Sequence, residues 1–106
     1  MNYRYMRLVL FFDLPVETSS QRRAAQKFVK EIKKIGFYMM QESVYLKLGI
    51  DARAVNATID KVRKFIPDKG NISILTITEK QFSEMEMLLG ERPYDVIDTD
   101  ERIIEL

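Results

Sequence analysis

The chain has 106 residues, 46% apolar and 31% charged, which suits one domain able to bury a core without disulfide or metal staples. It contains no cysteine and no histidine, which excludes disulfides, zinc–thiolate sites and any imidazole acting as base or metal ligand. Its net charge of +1 conceals a division: residues 1–83 carry 15 Lys and Arg against 8 Asp and Glu, whereas residues 84–106 carry 2 against 8. A basic body with an acidic end suits an anionic partner for the body, although plain solvated surface gives the same pattern.

The apolar stretch at the N-terminus, about seven residues, is too short for a signal or membrane helix, so a cytoplasmic protein is expected. Arg4–Phe12 is predicted as a strand. From Leu8 onward both of its faces are apolar: Leu8, Leu10 and Phe12 on one, Val9 and Phe11 on the other. That places it centrally in a sheet covered on both sides. Asp13 closes the run and is the only acid in the first 16 positions. A carboxylate at the mouth of a buried strand is costly unless paired, hydrogen-bonded, solvated or bound to metal. Its bland reading is a turn residue whose side chain accepts backbone N–H groups before Pro15. Arg4 and Arg7 are candidate counter-charges.

Thr18, Ser19 or Ser20 can cap a helix over residues 20–35. Ala24, Ala25, Phe28, Val29, Ile32 and Ile35 recur at spacings of three and four, and Gly36 follows at the stop position. The opposite face holds Arg22, Arg23, Lys27, Lys30, Lys33 and Lys34 against the single acid Glu31, more cations than solubility needs. Residues 37–48 are strand-like but long; a break at Gln41-Glu42-Ser43 gives two strands, Phe37–Met40 and Val44–Leu48. Asp51 can cap a second helix, Ala52–Ile66, with Val55, Ile59, Val62 and Ile66 inward and Pro67 as its end.

Asp68-Lys69-Gly70-Asn71 reads as a turn, and Ile72–Thr78 as a strand. Thr78 and Gln81 have capping-box spacing, so a helical turn follows. Met85–Leu89 is a possible short strand. Gly90–Asp100 is acidic and turn-rich, and Arg102–Leu106 is a possible last strand. The order β-α-β-β-α-β is the split βαβ, ferredoxin-like plan, class α+β, with additional C-terminal strands. Residues 1–82 form the core, and 83–106 form a strand and acidic segment for dimer or partner pairing. Two helices cover one sheet face and no long helix remains for the other, so a second copy is the simplest cover. A homodimer with facing sheets is expected.

Several stretches together resemble one known family. They are Tyr3-Arg4-Tyr5-Met6-Arg7, Phe12-Asp13-Leu14-Pro15, Gly36-Phe37, Gln41-Glu42-Ser43-Val44-Tyr45, Gly70-Asn71-Ile72, and Leu75 through Phe82. In this order and over most of the chain they are similar to the small CRISPR-associated adaptation protein, the non-integrase subunit of type II-like systems. The resemblance implies a ferredoxin-like homodimer that bridges two integrase dimers, holds duplex DNA and helps insert it as a new spacer. Many members are also described as magnesium-dependent endonucleases acting on RNA or DNA. The aspartate ending their first strand is given the metal, and Asp13 falls on that motif.

With no imidazole or thiolate, any catalysis rests on carboxylates, hydroxyls, Lys, Arg or a hard cation such as Mg2+. Magnesium often needs only one or two carboxylates, and a twofold pair of Asp13 residues would supply two. One acid per chain is thin for an efficient enzyme. Duplex DNA of variable sequence needs phosphate neutralisation rather than base reading. The expected contacts are Arg22 and Arg23 at the helix start, Lys27 and Lys30 along it, and more weakly Lys69 in the late turn; Lys47 is weaker still, since a strand lysine also serves simply to protect an edge. Ile103, Ile104 and Leu106 would pair with the integrase as an added strand. A toxin-like ribonuclease or a ferredoxin-like regulator acting alone is the remaining class.

Overall fold

β1, Met6–Asp13, forms because an apolar run of five residues with two β-branched-tolerant faces has nowhere to go but the middle of a sheet. The computed structural model describes residues 5–91. In chain order it contains β1, α1 (Ser19–Lys34), β2 (Tyr38–Gln41), β3 (Val44–Gly49), α2 (Ala52–Arg63), β4 (Asn71–Thr78) and α3 (Glu79–Ser83). The sheet runs β2-β3-β1-β4 and every pairing in it is antiparallel. The architecture is therefore α+β, as expected, with β1 central.

Directly opposed residues in an antiparallel ladder share a sheet face, so the register sorts the side chains. Leu8 and Leu10, with Tyr45 of β3 and Ile74 of β4, face α1 and α2, where Phe28, Ile32, Val55 and Val62 complete the core. Phe12 closes that core, edge-on to Phe28 at 5.4 Å and stacked on Tyr45 at 5.9 Å. Each helix starts at a cap. Thr18 and Gln21 form a full capping box on α1, Asp51 accepts from the Ala54 N–H on α2, and Thr78 and Gln81 form a second capping box on α3. β3 can approach α2 closely only because Gly49 lacks a side chain: a Cβ there would lie 2.6 Å from Val55 Cγ2.

Four expectations need correcting. α2 stops at Arg63, so Ile66 is 51% exposed. Phe65 packs in its place, 6.0 Å from Phe28; Pro67 disfavours helical geometry in the residue before it, so the helix unwinds early. β3 is an inner strand, so Lys47 protects no edge. Met85–Leu89 is not a strand in the single chain: it pairs with no described strand, and Leu88 and Leu89 are 91% and 93% exposed. The sheet face away from α1 and α2 is not wholly bare, because α3 folds over one end of it. Arg4 and the predicted last strand with Ile103, Ile104 and Leu106 lie outside the described residues. Among the described residues no helix is long and apolar enough to cross a membrane.

Candidate nucleic-acid interface and the Asp13 end of the sheet

The face opposite α1 and α2 is built by Arg7, Val9, Phe11 and Asp13 of β1, flanked by Leu48, Leu46 and Val44 of β3 and by Ile77, Leu75, Ser73 and Asn71 of β4. Its two ends differ. At the Arg7 end the guanidinium, 2% exposed, is tied to Glu79 of α3 through Nε and, at 3.3 Å, through Nη2. It also donates to the Tyr38 hydroxyl at 3.1 Å and lies 4.5 Å from the centroid of the Phe82 ring. A buried arginine is tolerable only with such partners; here they fasten α3 to the sheet, and Phe82 of α3 is itself buried. At the other end Val9, Phe11, Val44 and Leu75 form an uncovered apolar strip, with Phe11 41% and Leu75 52% exposed.

Asp13 stands at the far end of that strip. β1 runs through it, one residue beyond the predicted end, because its backbone is still in register with Asn71. Its carboxylate accepts no hydrogen bond from any described residue, so the turn-capping role is not realised. Arg7 is not its counter-charge either. The two lie on the same face six residues apart, about 20 Å at strand rise, and Arg7 is engaged with Glu79. The backbone around Asp13 is held on both flanks. The Phe12 N–H donates to the Ser43 carbonyl at 3.1 Å. On the other side Gly70, at φ +113°, packs so closely that a Cβ would be 2.8 Å from the Asp13 carbonyl oxygen. Ser43, at φ 67°, is the one non-glycine residue with positive φ among those described. Among the described residues no three acids come together to hold a metal ion, so one chain offers Asp13 as a single carboxylate.

The cations lie on the opposite side of the molecule. Residues spaced by four, three and four fall on one stripe of a helix, and Arg23, Lys27, Lys30 and Lys34 do so on the outer face of α1, with Arg22, Gln26 and Lys33 on the next stripe. The helix is about 24 Å long at 1.5 Å per residue. Lys34 is paired to Glu31 at 3.5 Å. Arg22 folds back, its Nη1 donating to the carbonyls of Val16 and Glu17 at 3.0 and 3.3 Å. Lys69 continues the positive surface past the helix start, where it lines a cleft of about 420 Å³ together with Pro15, Thr18, Ser20 and Gln21. Of the predicted DNA contacts the fold thus brings Arg23, Lys27 and Lys30 onto one stripe, with Arg22 and Lys69 near its start.

Lys47 is elsewhere. It opposes Leu8 and points to the helix side, against Gly36. Partial burial, and then the nearby Lys61 charge, hold its ammonium below the usual lysine range. Asn71 is the cross-strand neighbour of Asp13; its one signal in the sequence is the Gly70-Asn71 step, which by itself reads as part of the turn.

Comparison with known proteins gives a consistent result. A family model described as CRISPR associated protein Cas2 matches residues 6–85. A protein named CRISPR-associated endoribonuclease Cas2 from Streptococcus mutans is 44% identical over 101 residues, 95% of this chain and 93% of its own length. A protein of the same name from Ligilactobacillus salivarius is 41% identical over 95% of this chain and all of its own length. A solved structure described as "Crystal structure of cas2" superposes with a TM-score of 0.58 at 14% identity, covering 87% of this chain and 94% of that one; at that identity the likeness speaks to fold alone.

Proposed function

The chain belongs to the Cas2 family of CRISPR-associated proteins, and from that premise we propose that it is a structural adaptor of spacer acquisition. In this reading two copies join through their open sheet faces, hold duplex DNA on α1 cations, and meet an integrase through the C-terminal segment. The observation that carries it is the opposition of two surfaces. The apolar strip of Val9, Phe11, Val44 and Leu75 and the cation stripe of Arg23, Lys27 and Lys30 lie on opposite sides of one sheet. Pairing the strips removes apolar surface from water and leaves every one of those cations outward, available to phosphates. The segment 84–106, with 8 acids against 2 bases, is repelled by DNA and complements a basic protein surface. Ile103, Ile104 and Leu106 there would add a strand to the integrase.

A second reading, a metal-dependent endonuclease, is favoured by the relatives' names and by the position of Asp13 at the rim of the same face. Facing strips would bring the two Asp13 carboxylates toward a common axis, where oxygen donors suit a hard cation such as Mg2+. Bound there, the ion would supply positive charge to a phosphodiester under attack. The chain itself contributes the carboxylates and the held backbone on each flank of them. Asp13→Asn separates the two readings in an integration assay with the partner integrase and a duplex substrate, run beside a hydrolysis assay. The expected result is integration at the wild-type rate with hydrolysis abolished. Loss of integration along with hydrolysis would overturn the adaptor reading as the main one.

A further inference from the structure

We propose that Asn71 is a second oxygen ligand, beside Asp13, for a hard divalent cation at the open end of β1; the inference rests on the metal-dependent reading of Asp13. The first observation is register. Asp13 and Asn71 are the last opposed pair of the β1–β4 ladder, which puts their side chains on one sheet face with Cα atoms about 4.5–5.5 Å apart. Both are exposed, and neither side chain makes a hydrogen bond or ion pair with any described residue. A carboxylate and a carboxamide oxygen are therefore adjacent, uncommitted and open to solvent.

The second observation is that this adjacency is fixed. Gly70 takes the left-handed conformation, at φ +113°, and a Cβ there would meet the Leu14 side chain at 2.7 Å and the Asp13 carbonyl oxygen at 2.8 Å. On the other flank the Ser43 carbonyl accepts from the Phe12 N–H. β4 must therefore enter the sheet directly against Asp13.

The third observation is what Asn71 is not needed for. Asparagine is usual in turns because it tolerates positive φ and caps its own backbone. Here Gly70 supplies the positive φ, and Asn71 is already a ladder residue with negative φ. Within strands asparagine is disfavoured, and β-branched residues serve better. Its side chain has no packing role at an exposed position. What it offers is a neutral oxygen.

That chemistry fits the site. No three acids converge among the described residues, so a cation held by Asp13 needs neutral oxygens and water for the remainder of its shell. A carboxamide oxygen serves a hard cation without adding a second negative charge beside the first.

Mn2+, read by electron paramagnetic resonance and displaced by Mg2+, is the probe, on full-length protein. Asn71→Ala and Asn71→Val remove the oxygen, the valine with better strand propensity, and should each weaken Mn2+ binding about 10-fold. Their thermal midpoint and oligomeric state should match wild type. Asn71→Asp should tighten binding, and Asp13→Asn should abolish it. If Asp13→Asn abolishes binding while both Asn71→Ala and Asn71→Val bind as wild type, Asn71 is not a ligand and the metal reading stands. If wild type shows no Asp13-dependent Mn2+ binding, the metal reading fails and this inference falls with it.

Discussion

Arg7 shows what a residue can conceal in a one-dimensional reading. In the sequence it is a cation inside an apolar strand, with Asp13 as its nearest acid on the same face. In the fold it answers to Glu79, 72 residues away, and to the ring of Phe82. No local pattern announces that pairing, because nothing in a strand's periodicity encodes which distant helix will cross it. The energetic consequence is local and testable. Removing Glu79 takes a hydrogen-bonded carboxylate away from a guanidinium at 2% exposure, so Glu79→Ala should destabilise the fold by about 3 kcal/mol; chemical denaturation measures it, and a loss no larger than that of Glu84→Ala would contradict the buried-pair account. Lys47 is a milder case: its lowered pKa reflects partial burial near Lys61, an arrangement set by the packing of three elements rather than by its own neighbours in sequence.

The elements themselves were far more legible. α1 is written in the three-and-four spacing from Ala24 to Ile35, and β1 in a run with two apolar faces; short-range periodicity is what a single chain records best. Boundaries were harder. The capping box at Thr78 and Gln81 is readable in the sequence, whereas the same spacing at Thr18 and Gln21 is masked because three hydroxyl residues in a row compete for the cap. The segment Met85–Leu89 has strand-like composition but pairs with no strand of its own chain, since strand formation depends on a partner that composition does not specify. The same α1 carries the phosphate-binding proposal. Arg22→Ala combined with Arg23→Ala removes two cations from the helix start and should lower duplex affinity while flattening the dependence of log K on log salt by about 2 units, 0.9 per phosphate contact. An unchanged slope in a salt titration would move the interface off this helix.

For the molecule as a whole, the sequence indicated that one sheet face lacked cover, and the fold shows that face divided between α3 and an exposed apolar strip. If two copies join there, Phe11→Glu should yield a folded monomer by sedimentation and circular dichroism, since Phe11 is already 41% exposed and buries little in a single chain. A variant that sediments as a dimer would place the interface elsewhere. The fastening of α3 by Arg7 bears on how such a pair aligns. α3 sits at one end of the strip, so in such a pair it would act as a mechanical stop against sliding of a second copy along Val9, Phe11 and Leu75. The spacing between two Asp13 residues would then be gauged by a five-residue helix at the opposite end of the strand, and a shortened or unfastened α3 would misalign the carboxylates without touching either one.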